Sequence, residues 1–252
     1  MTIRTATING VATIEIARPE KKNAITGAMY RQMADALDAA GADGAVRAVL
    51  IAGQPGIFTS GNDLEDFMAR PPGGESPALV FMRALMGCDK PVIAAVTGAA
   101  IGIGTTLLLH CDFVYVSDEA RLAMPFVSLG LVPEFASSLL VPQLMGNVRA
   151  AEKLLLGEPF TGADAVEVGI ANAVLPAGEV MAQARRIAER FNALPPSAVR
   201  DAKRLMRRPR REAANEAIAS ESQVFAERLR SPEAQEAFRA FFEKRKPDFS
   251  KF

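Results

Sequence analysis

The first eighteen residues alternate between apolar and polar side chains on both sides of the pair Asn9-Gly10. Alternation with a period of two is typical of a strand with one buried face. An Asn-Gly pair between two such runs favours a two-residue turn. The sequence therefore predicts a β-hairpin over this segment.

A stripe of apolar residues with helical spacing follows the hairpin. Thr26 precedes the stripe and is a residue type that caps the amino termini of helices. We predict a helix that begins after Thr26 and buries one face, because the apolar residues recur every three or four positions. The stripe consists of Met29, Met33, Ala36, Leu37 and Ala40.

Three short apolar runs come next, VRAVLIAG, PVIAAVTG and DFVYVS. Each is apolar enough to be a strand that is covered on both faces. Segments with helical patterns, including PALVFMRALMG, separate them, and this order is typical of an α/β fold. From about Ala177 the pattern is helical only. We predict an α/β core over residues 1–194, a helical region over residues 195–252, and a flexible surface loop from Arg70 to Pro77.

Composition and charge exclude several classes of function. The 252 residues carry 29 basic and 29 acidic side chains, so no bulk positive field attracts nucleic acid or anionic lipid. Two cysteines and a single histidine provide neither a disulfide framework nor an evident metal site. The start MTIRTATING lacks the apolar core of a signal peptide. We expect a cytoplasmic protein that binds neither nucleic acid nor membranes.

The glycine-rich segment GAAIGIGTTLLLHCD is the first candidate for chemistry. A phosphate-binding P-loop requires lysine after its last glycine, whereas Thr105 follows Gly104 here. A dinucleotide-binding turn requires a third glycine where this chain has Leu107. What remains is a turn that presents the main-chain N–H of Ile103 at a helix start, where the helix dipole attracts negative charge. The alternative is that the glycines only allow close packing of strand and helix.

A second turn occurs in IFTSGNDLEDF, which follows the strand in AVLIAG and also enters a helix. The N–H of Asn62 lies on this bend. Two N–H groups on neighbouring strand-to-helix turns can converge on one oxygen atom and form an oxyanion hole. We predict such a hole from Asn62 and Ile103. Asp63 is interpreted as the cap of the following helix, and Asp66 as part of a solvated face.

These segments resemble the crotonase superfamily, the enoyl-CoA hydratase/isomerase fold. The resemblance covers almost the whole chain, in the family's order, through RPEKKNAIT, FTSGNDLEDF, KPVIAAVTGAAIGIGTTLLLHCDFVYVS, RLAMPFVSLGLVPEFASSLLVPQLMG and AAEKLLLGEPFTGADAVEVGIANAVLP. It implies an α/β spiral of β-β-α units with a C-terminal helical region that forms trimers. It also implies an acyl-CoA substrate, no cofactor apart from coenzyme A within that substrate, and a homotrimer or a hexamer built from two trimers. The family's hole is formed by main-chain N–H groups at the positions of Asn62 and Ile103.

The chain departs from the hydratases of this superfamily at two positions. Those enzymes place one catalytic glutamate on the helix after the glycine turn and another after the following short strand. The matching residues here are Thr106 and Phe126. Adding water across a double bond requires groups that deprotonate the water and deliver a proton to carbon. We therefore do not expect ordinary hydratase activity.

One glutamate is present in the same neighbourhood, Glu134 in LGLVPEFASS. This segment resembles the loop that carries the single catalytic base of the Δ3,Δ2-enoyl-CoA isomerases. The resemblance implies that Glu134 takes a proton from C2 of a 3-enoyl-CoA and returns one at C4, while the hole holds the dienolate. Apolar neighbours predict a raised pKa for this carboxyl group. The alternative is a solvated glutamate on a surface loop.

The resemblance also assigns further substrate contacts. The segment Lys21, Lys22, Asn23 and Ala24 matches the family segment whose main chain borders coenzyme A. The other predicted contacts are Ser60, Gly61, Asp63, Gly102, Thr106, Phe126 and Leu131. The C-terminal trio Lys244, Arg245 and Lys246 is interpreted either as contacts to a neighbouring subunit's substrate phosphates or as solvated charge. Apolar residues of the tail are expected to be covered by a partner subunit, namely Leu205, Met206, Phe225, Phe238, Phe241 and Phe242.

Three alternative functions stay open at this point. The first is another crotonase-type reaction on an acyl-CoA enolate, and the second is weak hydration with an unidentified acid or base. The third is a non-catalytic CoA-binding or scaffolding trimer, suggested by the two missing carboxylates. His110 and Cys111 are interpreted as packed core residues. Ser137 and Ser138 are interpreted as a helix start, since the chain lacks the elbow motif of serine hydrolases.

Overall fold

The computed structural model describes residues 2–69 and 75–252, so most of the predicted loop from Arg70 to Pro77 lies outside the described residues. The fold is mixed α/β, as predicted. The strands are β1 (Ile3–Ile8), β2 (Val11–Ile16), β3 (Ala48–Ala52), β4 (Ile57–Thr59), β5 (Val92–Val96), β6 (Ala99–Ile101), β7 (Phe113–Ser117), β8 (Arg121–Ala123), β9 (Phe160–Thr161) and β10 (Ala173–Leu175). The helices are α1 (Gly27–Ala42), α2 (Leu64–Met68), α3 (Pro77–Gly87), α4 (Ile103–Thr106), α5 (Ser137–Met145), α6 (Asn147–Leu154), α7 (Gly162–Glu167), α8 (Ala177–Glu189), α9 (Pro196–Arg228) and α10 (Pro232–Phe242). Within the described ranges, no helix is long and apolar enough to cross a bilayer.

The predicted hairpin and first helix are confirmed. β1 pairs antiparallel with β2. Asn9 (φ +49°) and Gly10 (φ +71°) turn between them in the left-handed conformation that such a two-residue loop requires. α1 begins after Thr26, whose hydroxyl oxygen accepts a hydrogen bond from the N–H of Met29. The predicted stripe faces the core, with Ala36 only partly buried.

The larger sheet has the strand order β1-β2-β3-β5-β7-β10 and is parallel from β2 onwards. Helix α8 covers one face through Val180, Ala184 and Ala188. Helices α1 and α3 cover the other face. Because both faces are covered, every residue of β3 and β5 is buried, as their apolar sequences predicted.

The smaller sheet was not predicted from the residue pattern. Its order is β4-β6-β8-β9, and β4, β6 and β8 are parallel. Each of these three strands is three residues long and directly follows a strand of the larger sheet. Three residues are too few to show a period. The apolar pattern therefore predicts only the longer strand of the larger sheet that precedes each of them. The carboxyl ends of these parallel strands meet at one edge, which is where the candidate site lies.

The C-terminal helices pack on the core of their own chain. Phe238 is only 2% exposed, and the ring of Phe225 contacts the ring of Phe67. The expectation that a partner subunit must cover Phe238 was therefore wrong, whereas Phe225 is only partly buried within its own chain. Other apolar residues of the tail remain exposed, namely Leu205, Met206, Phe241 and Phe242. The division into domains at residue 194 and the oligomeric state stay predictions.

A half-buried ionic cluster attaches α9 to the larger sheet. Asp112, just before β7, contacts the ammonium group of Lys203 at 2.6 Å and the guanidinium group of Arg207 at 2.9 Å. Its carboxylate also accepts the N–H of Val92 at 2.8 Å. The ammonium group of Lys203 is buried, so Asp112 supplies the opposite charge that this burial requires.

Replacement of this carboxylate should therefore destabilise the fold. We expect Asp112→Ala to lower the free energy of unfolding by about 3–5 kcal/mol, because it leaves a buried ammonium group without its counter-charge. Urea denaturation measures the change. Asp201→Ala is the matched control, since Asp201 forms an exposed ion pair with Arg204 on the same helix. The control should change stability by less than about 1 kcal/mol, and equal effects of the two substitutions would contradict the prediction.

Candidate active site

Two glycine turns lie side by side at the carboxyl edge of the smaller sheet. The chain leaves β4 through Gly61 (φ +92°) and β6 through Gly102 (φ +58°), and both angles favour glycine. A Cβ atom on Gly61 would lie 2.9 Å from the carbonyl oxygen of Ile101. The two turns are therefore in close contact, and only a residue without a side chain allows this approach.

The main-chain N–H groups predicted to form the oxyanion hole follow these glycines. On either side of Asn62, Ile25 donates to the carbonyl of Gly61 at 2.8 Å and Asp63 donates to the carbonyl of Ile25 at 2.9 Å. Ile103 is the first residue of α4, a position whose N–H has no partner within its helix. Neither Asn62 nor Ile103 donates its N–H to an acceptor in the described part of the chain. Both groups are available to a ligand.

A cavity of about 620 Å³ opens beside the two turns. Asn62 and Ile103 both line it. So do eight of the predicted substrate contacts, namely Lys22, Ala24, Ser60, Gly61, Asp63, Gly102, Phe126 and Leu131. The sequence interpretation missed the aromatic part of the lining, Phe67 from α2 with Phe225, Phe241 and Phe242 from the C-terminal helices. Phe67 lies only five positions after Asn62, whereas nothing local in the sequence connects Phe225, Phe241 and Phe242 to turns that lie more than a hundred positions earlier.

Asn23 lies behind the cavity lining and is fully buried. Its side-chain oxygen accepts the N–H of Arg18 at 2.7 Å, and its amide donates to the carbonyl of Phe58 at 3.0 Å. These bonds attach the segment that carries Lys22 to strand β4. The side chain of Asn23 is thus used within the protein.

Asp63 caps α2, as the sequence predicted. Its carboxylate accepts the N–H of Asp66 at 3.0 Å and contacts the guanidinium group of Arg18 at 2.6 Å. Burial alone would raise its pKa, but these two partners outweigh burial and hold the pKa below its usual value. Asp63 is therefore an ionised structural group at neutral pH. Asp66 is exposed and accepts the N–H of Gly27 at 2.8 Å.

Glu134 is buried, with 7% of its surface exposed, so the interpretation as a solvated glutamate is wrong. The hydroxyl group of Thr106 donates to its Oε1 at 2.5 Å. Thr106 ends the same short helix that Ile103 begins, so this hydrogen bond ties the carboxyl group to one of the two turns. Burial is the main cause that raises the pKa of Glu134 to about 8, and the charge of Glu221 adds to it.

The second oxygen of Glu134 differs from the first in having no hydrogen-bond partner in the described part of the chain. Neither Glu134 nor the predicted substrate contact Thr106 is among the residues that line the cavity. Oε2 accepts no hydrogen bond from the described residues. Across all the described residues, Ser137 Oγ is the one fully buried side-chain polar atom without a hydrogen-bond partner. Oε2 is therefore not fully buried, and it is the oxygen of Glu134 that no other group of the described residues occupies.

Comparison with known sequence families identifies the family of this chain. Residues 6–251 match the sequence profile described as enoyl-CoA hydratase/isomerase. This chain belongs to the enoyl-CoA hydratase/isomerase family. The family assignment confirms the resemblance seen in the sequence, including the crotonase-like α/β fold.

Members with both kinds of name are similar to this chain. Enoyl-CoA delta isomerase 2 of Homo sapiens is 38% identical over 237 residues, which cover 91% of this chain and 60% of that protein. The chain thus spans about three fifths of that relative's length. The 2,3-dehydroadipyl-CoA hydratase of Escherichia coli is 30% identical over 243 residues, covering 95% of this chain and 94% of the hydratase. Among solved structures, Pseudomonas aeruginosa OdaA is 53% identical with a TM-score of 0.93, covering 95% and 98% of the two chains.

In this member of the enoyl-CoA hydratase/isomerase family, the other candidate groups have structural roles. The ring of His110 stacks on Phe135, and its Nε2–H donates to the carbonyl of Phe135 at 2.7 Å. Burial lowers the pKa of His110 to about 3 and raises the pKa of Cys111 to about 12. Both stay neutral in ordinary buffers. Ser137 and Ser138 begin α5. Across residues 2–69 and 75–252, no group of three His, Cys, Asp or Glu side chains could hold a metal ion.

The raised pKa of Glu134 makes stability depend on pH. The folded state holds this proton up to a pKa of about 8, whereas an unfolded glutamate loses it near 4.5. Folding therefore becomes less favourable as pH rises from about 4.5 to 8. Glu134→Gln removes this loss and keeps an oxygen that accepts from Thr106. We expect its advantage in the free energy of unfolding to grow over that interval by up to about 4 kcal/mol. Urea denaturation of both proteins at the two ends of the interval measures the difference, and a constant difference would contradict the assignment.

Proposed function

We propose that this protein is an enoyl-CoA isomerase that moves the double bond of a 3-enoyl-CoA to position 2. One observation carries the proposal. The buried carboxyl group of Glu134 keeps one oxygen without a hydrogen bond and is tied through Thr106 to the turn whose N–H group, that of Ile103, has no partner in the described part of the chain. This arrangement matches a reaction in which one group takes and returns a proton while an oxygen atom becomes negative.

The chemistry needs no other group. The thioester oxygen would accept the N–H groups of Asn62 and Ile103. The carboxylate of Glu134 takes a proton from C2, the electron pair moves onto the thioester oxygen, and a dienolate forms. Glu134 then gives a proton to C4 as the electron pair returns, which leaves the double bond between C2 and C3. No metal or redox cofactor takes part, and coenzyme A serves only as part of the substrate.

The energetics favour this division of roles. A carboxylate whose pKa is about 8 is a stronger base than an ordinary glutamate once it is ionised. The dienolate would be too unstable to form in an apolar cavity without donors. Removing one donor of an oxyanion hole typically costs about 2.7–4 kcal/mol of barrier. Two main-chain donors thus supply much of the stabilisation that the dienolate requires when the weakly acidic C2 proton is removed.

Hydration is the second candidate, because relatives such as the Escherichia coli hydratase carry that name. It requires a second acid or base beside the substrate. The position after β8 is Phe126, an apolar side chain that lines the cavity. The carboxylates at the cavity are already paired, Glu20 and Asp63 with Arg18, and Glu65 with Lys21. Isomerisation, which uses one carboxylate and excludes water, fits these residues better.

The proposal places coenzyme A at the cavity mouth beside Lys21 and Lys22. Both lysines line the cavity, and an acyl-CoA carries phosphates that ammonium groups attract. Arg245 of the C-terminal trio binds Glu236 and Glu243 of its own chain, which leaves Lys244 and Lys246 as the candidates for a neighbouring subunit's ligand. The exposed Leu205 and Met206 support assembly into a homotrimer or a hexamer of two trimers.

The proposed base can be tested by substitution. We expect Glu134→Gln to reduce the kcat for conversion of a 3-enoyl-CoA into a 2-enoyl-CoA by about 10²–10⁴-fold. The absorbance of the conjugated product follows the reaction. Glu212→Gln, which makes the same change at an exposed position of α9, should leave kcat unchanged. Hydration of a 2-enoyl-CoA that survives in Glu134→Gln would overturn the proposal, and substrate binding without any turnover would support the scaffold instead.

The pH dependence provides a second test. Only ionised Glu134 can accept the proton, so kcat/KM should rise with pH, about tenfold per pH unit, and level off above a midpoint near 8. His110 stays neutral over this range and does not contribute. Initial rates at low substrate concentration across the pH range give the profile. A midpoint at the ordinary value for glutamate would be inconsistent with a buried base.

A further inference from the structure

The two residues after Glu134 adopt a conformation that is unusual for their type. Phe135 has φ +59° and Ala136 has φ +58°, so two consecutive residues with side chains lie in the left-handed region. This conformation is unfavourable for a residue with a side chain, because Cβ comes too close to the main chain. A turn of this kind persists only where the surroundings hold it in place.

Glu221, on α9, binds this turn and the first residues of α5, in addition to the bond that His110 donates to the carbonyl of Phe135. Its Oε2 accepts the N–H of Ala136 at 2.6 Å. Its Oε1 accepts both the N–H of Ser138 at 2.9 Å and the hydroxyl group of Ser138 at 2.5 Å. Three donors on two oxygens match an ionised carboxylate. This carboxylate also satisfies N–H groups at the start of α5, where the helix dipole favours negative charge.

The carboxylate of Glu221 is buried in a way that depends on its hydrogen bonds to this turn. The side chain is 7% exposed, although burial disfavours a charged carboxylate and raises its pKa. It lies more than eighty positions from the residues that it binds. A free carboxylate on a surface helix would keep its hydration, so a buried one requires the partners that this turn provides.

We propose that Glu221 is a positioning residue of the active site, which holds the Phe135–Ala136 turn and thereby keeps Glu134 against Thr106. The inference rests on the proposed function of Glu134. It assigns a catalytic purpose to the docking of α9, which the sequence interpretation treated only as part of an oligomerisation region. No contact between Glu221 and the substrate is needed.

Glu221 also acts on Glu134 through its charge. The groups that face Glu134 are the hydroxyl of Thr106, which favours the ionised form, and the carboxylate of Glu221, which opposes it. His110 packs against the same turn but is neutral. Arg228 of α9 is bound to the carbonyl of Gly130 and to Glu233, so its charge is already paired. Loss of the charge at position 221 should therefore make Glu134 easier to ionise.

The test compares two substitutions at position 221. Glu221→Gln removes the charge and places an NH₂ group where one N–H group needs an acceptor. We expect kcat to fall about 10–100-fold with little change in KM, because a misplaced base slows the chemical step. We also expect the midpoint of the kcat/KM profile to move to lower pH. Glu221→Asp keeps the charge but is shorter, so kcat should fall while the midpoint stays near that of the parent.

A purely structural role would give a different result. It would lower the melting temperature, and could lower kcat, without moving the midpoint of Glu221→Gln. An unmoved midpoint, or a parental kcat, therefore overturns the proposal. Glu212→Gln is the matched control on the same helix. If Glu221→Gln does not fold, Ser138→Ala replaces it, since it removes one of the three donors, and a parental kcat in that variant overturns the proposal as well.

A measurement without turnover separates this inference from the proposed function. The carboxyl carbon of Glu134 can be titrated by ¹³C NMR and assigned by its absence in Glu134→Gln. Its midpoint should be lower in Glu221→Gln than in the parent, whether or not the protein acts on a 3-enoyl-CoA. An inactive parent with a shifted midpoint would refute the isomerase and support the coupling, whereas an active parent with no shift would do the reverse.

Discussion

The proposed site depends on a carboxyl group, that of Glu134, which is buried and has no ion-pair partner in the described part of the chain. Glu134 is held by a hydroxyl group, and the charge that acts on it is that of another carboxylate, Glu221. Such a group prefers its proton, and the preference costs stability as pH rises. A positive partner would remove that cost but would also make the carboxylate a weak base. The absence of a positive partner therefore makes Glu134 a better base for proton transfer to and from carbon, but it lowers the stability of the folded state as pH rises.

The second constraint is the supply of main-chain N–H groups. Long strands cannot provide them, because their N–H groups are used in the sheet. The short strands β4 and β6 end after three residues, and a glycine then turns the chain. After β6 this turn enters α4, whose first N–H, that of Ile103, has no partner within the helix. After β4 the N–H of Asn62 lies on the turn itself, before the cap residue Asp63 of α2. The pairing of β4 with β6 brings the two turns together. The smaller sheet thus provides the rigid support for two donors that side chains could not hold as firmly.

Local patterns predicted much of this fold. Patterns within short segments of the sequence were enough to predict the Asn9-Gly10 hairpin, the helix after Thr26 and the apolar strands of the larger sheet. The turns at Gly61 and Gly102 were found for the same reason, since glycine marks an unusual backbone angle. Three-residue strands have no period, so the smaller sheet was not predicted.

Contacts between distant segments could not be found in this way. Phe225 reaches the cavity, and Glu221 reaches the turn after Glu134, only because α9 folds back along the core. In the sequence, both are ordinary members of a charged helix. The importance of Glu134 itself came from the family resemblance, because a glutamate after a proline resembles any surface residue until its burial is known. Physical patterns thus predicted the scaffold better than the acid–base groups.

The attachment of α9 at two points fixes its rotation about its own axis. Arg207 binds Asp112, and Glu221 binds the turn after Glu134. Fourteen positions separate the two residues, which is about four helical turns, so both point to the same side. One inserted or deleted residue between them would rotate Glu221 by about 100° and point its carboxylate away from the turn. The length of this stretch of helix is therefore constrained as tightly as the identity of the residues at its ends.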